Sequence, residues 1–63
     1  MNLDYRKLRR DLLEYYGTAL AVNPMAIFDV NKVQNASDFE LENIALKNGF
    51  KLSDYIIAVK RYL

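Results

Sequence analysis

Residues 37–50 read SDFELENIALKNGF, and this stretch carries both a start signal and a stop signal for a helix. Ser37 and Glu40 stand at capping-box spacing, in which each side chain accepts a hydrogen bond from the other residue's backbone N–H. Gly49-Phe50 is typical of a helix end, because glycine readily adopts the left-handed conformation and the next apolar residue packs back on the helix. The stretch therefore predicts a helix over residues 38–48.

The sequence after this helix predicts another one. Leu52 precedes Ser53, a good N-cap residue, and can contact Ile57 as a hydrophobic staple. Tyr55, Val59 and Tyr62 recur at helical spacing, and Lys60 and Arg61 lie where cations suit a helix C-terminus. We expect this helix to run from Ser53 to Leu63.

The N-terminal part of the chain predicts a long amphipathic helix from Leu3 to about Ala21, with Asn2 as a possible N-cap. Its apolar residues share one broad face, and its charged residues lie opposite. The predicted inner face contains Tyr5, Leu8, Leu12, Tyr15, Tyr16, Ala19 and Val22.

Between the first helix and the one at residues 38–48, Asn23-Pro24 is predicted to end one helix and begin another, since Asn is a good N-cap and Pro suits the first helical position. Residues 24–33 are then predicted to form a short helix. The alternative is a strand, because residues 26–30 have moderate β propensity. No other segment resembles a partner strand, so the helix is preferred.

These elements predict an all-α fold, a small three- to four-helix bundle with short connections in a single domain over residues 1–63. The chain has 63 residues, of which 52% are hydrophobic, and it contains neither Cys nor His. Disulfides, thiolate catalysis and the commonest metal ligand are therefore excluded. So much apolar surface in so small a domain favours self-association.

The formal net charge is +1, so the protein as a whole has no strong electrostatic attraction to nucleic acids or membranes. The longest uncharged stretch, residues 15–28, is broken by Gly17 and Asn23-Pro24 and is too short to span a bilayer. The N-terminus lacks the pattern of a signal peptide. We expect a cytoplasmic protein with no membrane contact.

One candidate site is the basic segment, which we define as Arg6, Lys7, Arg9 and Arg10. Clustered cations on a helix suit contacts with nucleic-acid phosphates. However, Lys7 and Arg10 each precede an acidic residue by four positions, a spacing that favours ion pairs within the helix. We therefore expect a solvated helix face and keep nucleic-acid binding as the alternative.

A second candidate site follows from helices that carry two apolar faces. In the third helix, Phe39 and Leu46 lie opposite the predicted core face. In the second helix, Met25 and Phe28 lie away from its inward-facing positions. Either the bundle wraps around both faces, or these four residues form a partner surface. We call them the outer apolar set.

No catalytic arrangement, metal site or cofactor motif is found. Carboxylates near the start of the third helix are explained by capping and by the helix dipole. A calcium loop counted from Asp29 fails, because Val33 and Gln34 stand where an oxygen ligand and a glycine are required. We expect no enzyme activity, no cofactor and no bound metal.

Three fragments carry a resemblance to a known group: residues 11–19 (DLLEYYGTA), 35–41 (NASDFEL) and 48–50 (NGF). Together they resemble small helical proteins of Gram-positive bacteria and their mobile elements, a group with no assigned activity. The prediction from the sequence is thus a non-catalytic interaction module. Its expected partner is itself, as a homodimer, or another protein.

Overall fold

The computed structural model describes residues 2–57, and these residues form an all-α bundle, as predicted. Three α-helices are present: α1 (Tyr5–Ala19), α2 (Ala26–Asn35) and α3 (Asp38–Lys47). A short 3₁₀ turn, Leu52–Tyr55, follows them. No strand occurs among the described residues, although Leu3 and Ile56 form an isolated antiparallel β-bridge.

The core lies where α1 packs against both α2 and α3. The four largest side chains with no solvent exposure are Leu8, Leu12, Val33 and Leu41. Burying each such side chain contributes about 1.5–3 kcal/mol, so these four provide much of the hydrophobic stabilisation. The core cluster is completed by Leu3, Ala36, Ala45 and Tyr55.

The start of α1 differs from the prediction. Asp4, rather than Asn2, is the N-cap, and its Oδ1 accepts from the Lys7 N–H at 3.1 Å. Residues 2–4 are instead held by Ile56 and its neighbours, because the Ile57 N–H donates to the Asn2 carbonyl at 2.9 Å. Leu3 is consequently buried in the core rather than forming the first turn of the helix.

The end of α1 is also shorter than predicted. The helix ends at Ala19, and the chain continues through turns to Asn23. Val22 therefore does not share the helical face, and it is 87% exposed. Tyr15 is exposed as well, although its ring packs edge-on against Tyr16 and Phe50. The predicted inward orientation of Val22 and Tyr15 is thus wrong.

The segment predicted as a short helix is helical, which excludes the alternative strand. The α-helix begins at Ala26 instead of Pro24, after a turn in which the Ala26 N–H donates to the Asn23 carbonyl. The Asn23 side chain still acts at this start, because its Oδ1 accepts from the Met25 N–H at 3.1 Å.

Both ends of α3 confirm the prediction. The two reciprocal hydrogen bonds of the Ser37–Glu40 capping box are present, at 3.0 and 3.2 Å. The bond from the Ser37 N–H lowers the pKa of the Glu40 carboxyl. Gly49 has a φ of 78°, and the Phe50 N–H donates to the Ala45 carbonyl at 2.9 Å, which is a Schellman arrangement.

The predicted fourth α-helix is wrong over its first residues. Leu52–Tyr55 form one 3₁₀ turn without a side-chain cap, so Ser53 does not cap a helix. Ile56 is extended, and the Asp4 N–H donates to the Tyr55 carbonyl at 2.6 Å. Pairing with the N-terminal segment therefore replaces the bonds of a helix. The remainder of that prediction, residues 58–63, lies outside the described residues.

A membrane-crossing helix would need a long apolar run. Within residues 2–57, none of the helices has the length and apolar character needed to cross a bilayer.

Candidate functional site

The outer apolar set is exposed in the structure. Phe39 is 72% exposed, Met25 64%, Phe28 63% and Leu46 58%. The bundle therefore does not wrap around both faces of α2 and α3 within the described part of the chain. Large apolar side chains at this level of exposure are candidates for a partner contact when several lie near one another.

The outer apolar set consists of one pair at α2, Met25 and Phe28, and one pair on α3, Phe39 and Leu46, and a charged furrow lies between the two helices. Lys32 on α2 and Glu40, Asn43 and Lys47 on α3 line a depression of about 210 Å³ between the helices. Asn43 of the furrow lies on the same side of α3 as Phe39 and Leu46, whereas Glu40 and Lys47 each lie about 100° from one of them. A partner that covers both pairs must therefore also accommodate these charges.

The most specific contact of the basic segment is made by Arg9. Its Nη1 donates to the carbonyls of Val33 at 2.7 Å and Gln34 at 3.2 Å. Its Nη2 donates to the Ala36 carbonyl at 2.9 Å. The Val33 carbonyl also accepts from the Ala36 N–H at 3.3 Å, and the planar guanidinium gives the carbonyls at this helix end additional donors. Arg9 thus fastens the end of α2 to α1, and it is not available for phosphate contact.

The other members of the basic segment are less constrained. The Lys7 ammonium lies 5.5 Å from the centre of the Tyr55 ring, in a cation–π contact. Arg10 lies 3.5 Å from the Asp11 carboxylate, the one ion pair found among residues 2–57. The predicted pairs between residues four apart are therefore not formed. Arg6 is exposed to solvent.

Two adjoining depressions run along the outer side of α1. One, of about 550 Å³, is lined by Asp4, Arg6, Lys7 and Arg10. The second, of about 460 Å³, is lined by Arg6, Arg9, Arg10, Leu13 and Glu14. Both depressions are wide open to solvent. Both have an excess of cationic side chains, so the surface favours an anionic group beside an apolar one.

Tyr55 makes a buried contact that sequence reasoning missed. Its ring is only 7% exposed, and its hydroxyl donates to the Asp11 Oδ2 at 2.6 Å. Burial, together with the hydrogen bond to this carboxylate, raises the pKa of Tyr55 to about 12. This bond holds the 3₁₀ turn against α1.

Two further side-chain bonds join α1 to α3. The Tyr5 hydroxyl donates to the Glu42 Oε2 at 2.8 Å, and this bond raises the pKa of Tyr5. Asn48 Nδ2 donates to the Tyr16 hydroxyl at 2.6 Å and to the Ile44 carbonyl at 2.8 Å. Together with the Tyr55–Asp11 bond, these contacts mean that three of the five tyrosines hydrogen-bond between different elements. The only sequence signal for these bonds is the inward helical spacing of the rings.

The side chains that could take part in metal binding or proton transfer all have structural surroundings in the described residues. The part of the chain that the structure describes contains no group of three metal-ligating side chains. No buried side-chain nitrogen or oxygen there lacks a hydrogen-bond partner. The titratable groups with shifted pKa values, Tyr5, Glu40 and Tyr55, are each explained by structural hydrogen bonds.

No family model, curated protein or solved structure matches this chain. The resemblance to small helical proteins of Gram-positive bacteria therefore stays a prediction. Function has to be inferred from the exposed surfaces described above.

Proposed function

We propose that this protein is a non-catalytic helical interaction module that self-associates through the outer apolar set. The observation that supports this is the exposure of four large apolar side chains, between 58% and 72%, on two adjacent helices. One partner contributes about 800 Å² to a standard interface, and exposed large apolar side chains such as these four are the kind that form its buried centre.

The size of the chain is a second support. A domain of about 60 residues buries a small fraction of its surface and gains little net stability from its own core. Neither disulfides nor cysteine-bound zinc can compensate, since the chain contains no Cys. Association with a second copy covers apolar surface and stabilises the fold by mass action.

Sedimentation velocity over a wide range of concentration tests the proposal. The wild-type protein should shift from monomer to a larger species as concentration rises, and Phe39→Asp should suppress this shift. Val22→Asp is the matched control, because Val22 is also exposed but lies outside the outer apolar set. A wild-type protein that stays monomeric at the highest concentration would contradict the proposal.

The alternative function is nucleic-acid binding by the basic segment. Arg6 and Arg10 border both depressions of α1, which favours contact with phosphates. Arg9 is committed to the end of α2, so the phosphate-binding surface is smaller than the sequence predicts. Electrophoretic mobility shifts at low salt, where backbone contacts are strongest, would test it. Loss of a shift in Arg6→Glu would support it.

A further inference from the structure

The surface of α3 that carries Phe39 and Leu46 also carries negative charge. Glu42 and Asn43 lie three and four residues after Phe39, and Leu46 lies seven after it, so all four share one side of the helix. The Glu42 carboxylate accepts from Tyr5 through one oxygen. As a whole, α3 has three acidic residues (Asp38, Glu40 and Glu42) and one basic residue, Lys47.

The second depression of α1 has the opposite character. Three arginines and one acidic residue, Glu14, line it together with Leu13. The charge of Arg9 is bound by backbone carbonyls rather than by a carboxylate, so it is not neutralised. Arg10 is paired with Asp11 at 3.5 Å, so the excess positive charge comes mainly from Arg6 and Arg9. The depression combines an apolar wall with this positive field, which complements an apolar side chain next to a carboxylate.

Arg6 and Arg10 on α1 and Phe39 on α3 point away from the core, whereas Glu42 lies at the edge of its surface nearest α1, where it bonds to Tyr5. On α1, Arg6 and Arg10 are each two residues from the fully buried Leu8, which places them about 160° from it around the helix. On α3, Phe39 has the same relation to the fully buried Leu41. One copy therefore cannot satisfy both surfaces by folding back on itself or by a single two-fold contact.

We infer that copies of this chain associate head to tail, with the Phe39–Glu42–Leu46 face of one copy seated in the Arg6–Arg10–Leu13 depression of the next. The inference rests on the proposed self-association and specifies its geometry. Glu42 faces the two arginines, and Phe39 or Leu46 covers Leu13. Such a contact is heterologous and repeats, so it forms a ring or an open chain rather than a symmetric dimer.

Complementation between two defective variants tests this geometry. Arg6→Glu/Arg10→Glu loses the basic depression and keeps the α3 face, whereas Phe39→Ser/Leu46→Ser loses the α3 face and keeps the depression. All four residues are exposed, so both variants should keep the fold, which far-UV circular dichroism would check. Each variant alone should associate at least about tenfold more weakly than wild type, a loss of about 1.4 kcal/mol. Mixed, they should form a one-to-one heterodimer that does not grow further.

Two controls sharpen the result. Arg6→Lys/Arg10→Lys keeps both charges and should keep most of the association. Raising the salt concentration should weaken the wild-type association, because exposed charges are screened.

The outcomes separate the two proposals. Normal self-association by the Arg6→Glu/Arg10→Glu variant, without complementation in the mixture, would overturn head-to-tail contact and leave self-association standing. A monomeric wild-type protein would overturn both. Heterodimer formation in the mixture alone would support head-to-tail contact, since a symmetric contact between two α3 faces gives no such rescue.

Discussion

Substituting Arg9→Met tests whether the guanidinium fastens the end of α2 to α1. The side chain donates three hydrogen bonds, of 2.7, 2.9 and 3.2 Å, to the carbonyls of Val33, Ala36 and Gln34. Methionine keeps a long apolar stem, so the packing of the aliphatic part is largely preserved. What is lost is the set of charge-assisted bonds to the end of the helix.

The expected cost follows from those bonds. A hydrogen bond to a charged group contributes about 1.5–3 kcal/mol. The Gln34 contact is the longest, and Gln34 is exposed, so water replaces it readily. Val33 and Ala36 are buried residues, so replacing their bonds is harder. Both of these bonds are only partly buried, so water offsets part of their loss, and we expect Arg9→Met to destabilise the protein by roughly 2–3 kcal/mol, about the contribution of one such bond. For a domain of this size, that lowers Tm by roughly 10–20 °C.

Urea unfolding followed by circular dichroism measures this loss. Arg6→Met is the matched control, since it removes the same charge from an exposed position on the same helix and should change stability by less than about 0.5 kcal/mol. Arg9→Lys should recover only part of the loss, because an ammonium lacks the planar fork that reaches both sides of the helix end.

Equal effects of Arg9→Met and Arg6→Met would refute this reasoning. Full recovery by Arg9→Lys would also refute it, because the contribution would then come from charge alone. Either result would mean that the guanidinium does not specifically hold the end of α2, and Arg9 would again be a candidate for phosphate contact.

Three further predictions concern stability. The pKa of Tyr55 is raised from 10.0 to about 12 in the fold, so its contribution is present below pH 10 and is lost as pH rises from 10 to 12. The stabilisation lost is at most about 3 kcal/mol. Urea unfolding across this pH range should show the free energy of unfolding fall, and Tyr55→Phe should remove most of this pH dependence. Gly49→Ala should cost about 1–2 kcal/mol because alanine is strained at φ 78°. Gly17→Ala, at an exposed helical position, should instead stabilise the protein by about 0.5–1 kcal/mol. Thermal unfolding of the two variants would show opposite shifts in Tm. Ser37→Ala should cost about 1 kcal/mol. Because the pKa of Glu40 is lowered from 4.5, the stabilisation from this carboxylate in the wild-type protein should be present above pH 4.5 and decline as the carboxyl protonates. Acid titrations of the two proteins should show a smaller decline for Ser37→Ala.

Some features of the candidate surfaces follow from local sequence signals, and others depend on contacts between distant parts of the chain. The positions of Phe39 and Leu46 opposite the core face follow from helical spacing, and both side chains are exposed as that spacing allows. The role of Arg9 does not follow from it, because its partners lie 24 to 27 residues away in the chain. Sequence spacing indicates which face of a helix a residue occupies, but not what packs beside it.

The segment after Leu52 shows the limit of local signals most clearly. A cap residue and helical spacing favour an α-helix from Ser53, yet the backbone of residues 55–57 pairs with residues 2–4. The buried Tyr55 ring and its bond to Asp11 stabilise that pairing. Tertiary contacts override a helix propensity that amounts to only tenths of a kcal/mol per residue.

The sequence by itself determined the all-α class, the helical state of residues 26–33 and both ends of α3. Each of these depends on bonds between residues at most five apart, such as the Ser37–Glu40 box and the Phe50–Ala45 bond. The tertiary structure alone decided that the backbone of Asp4 pairs with Tyr55, that Arg9 closes α2 and that Tyr55 folds back onto Asp11. Those contacts form only once the helices have packed and brought distant parts of the chain within hydrogen-bonding distance.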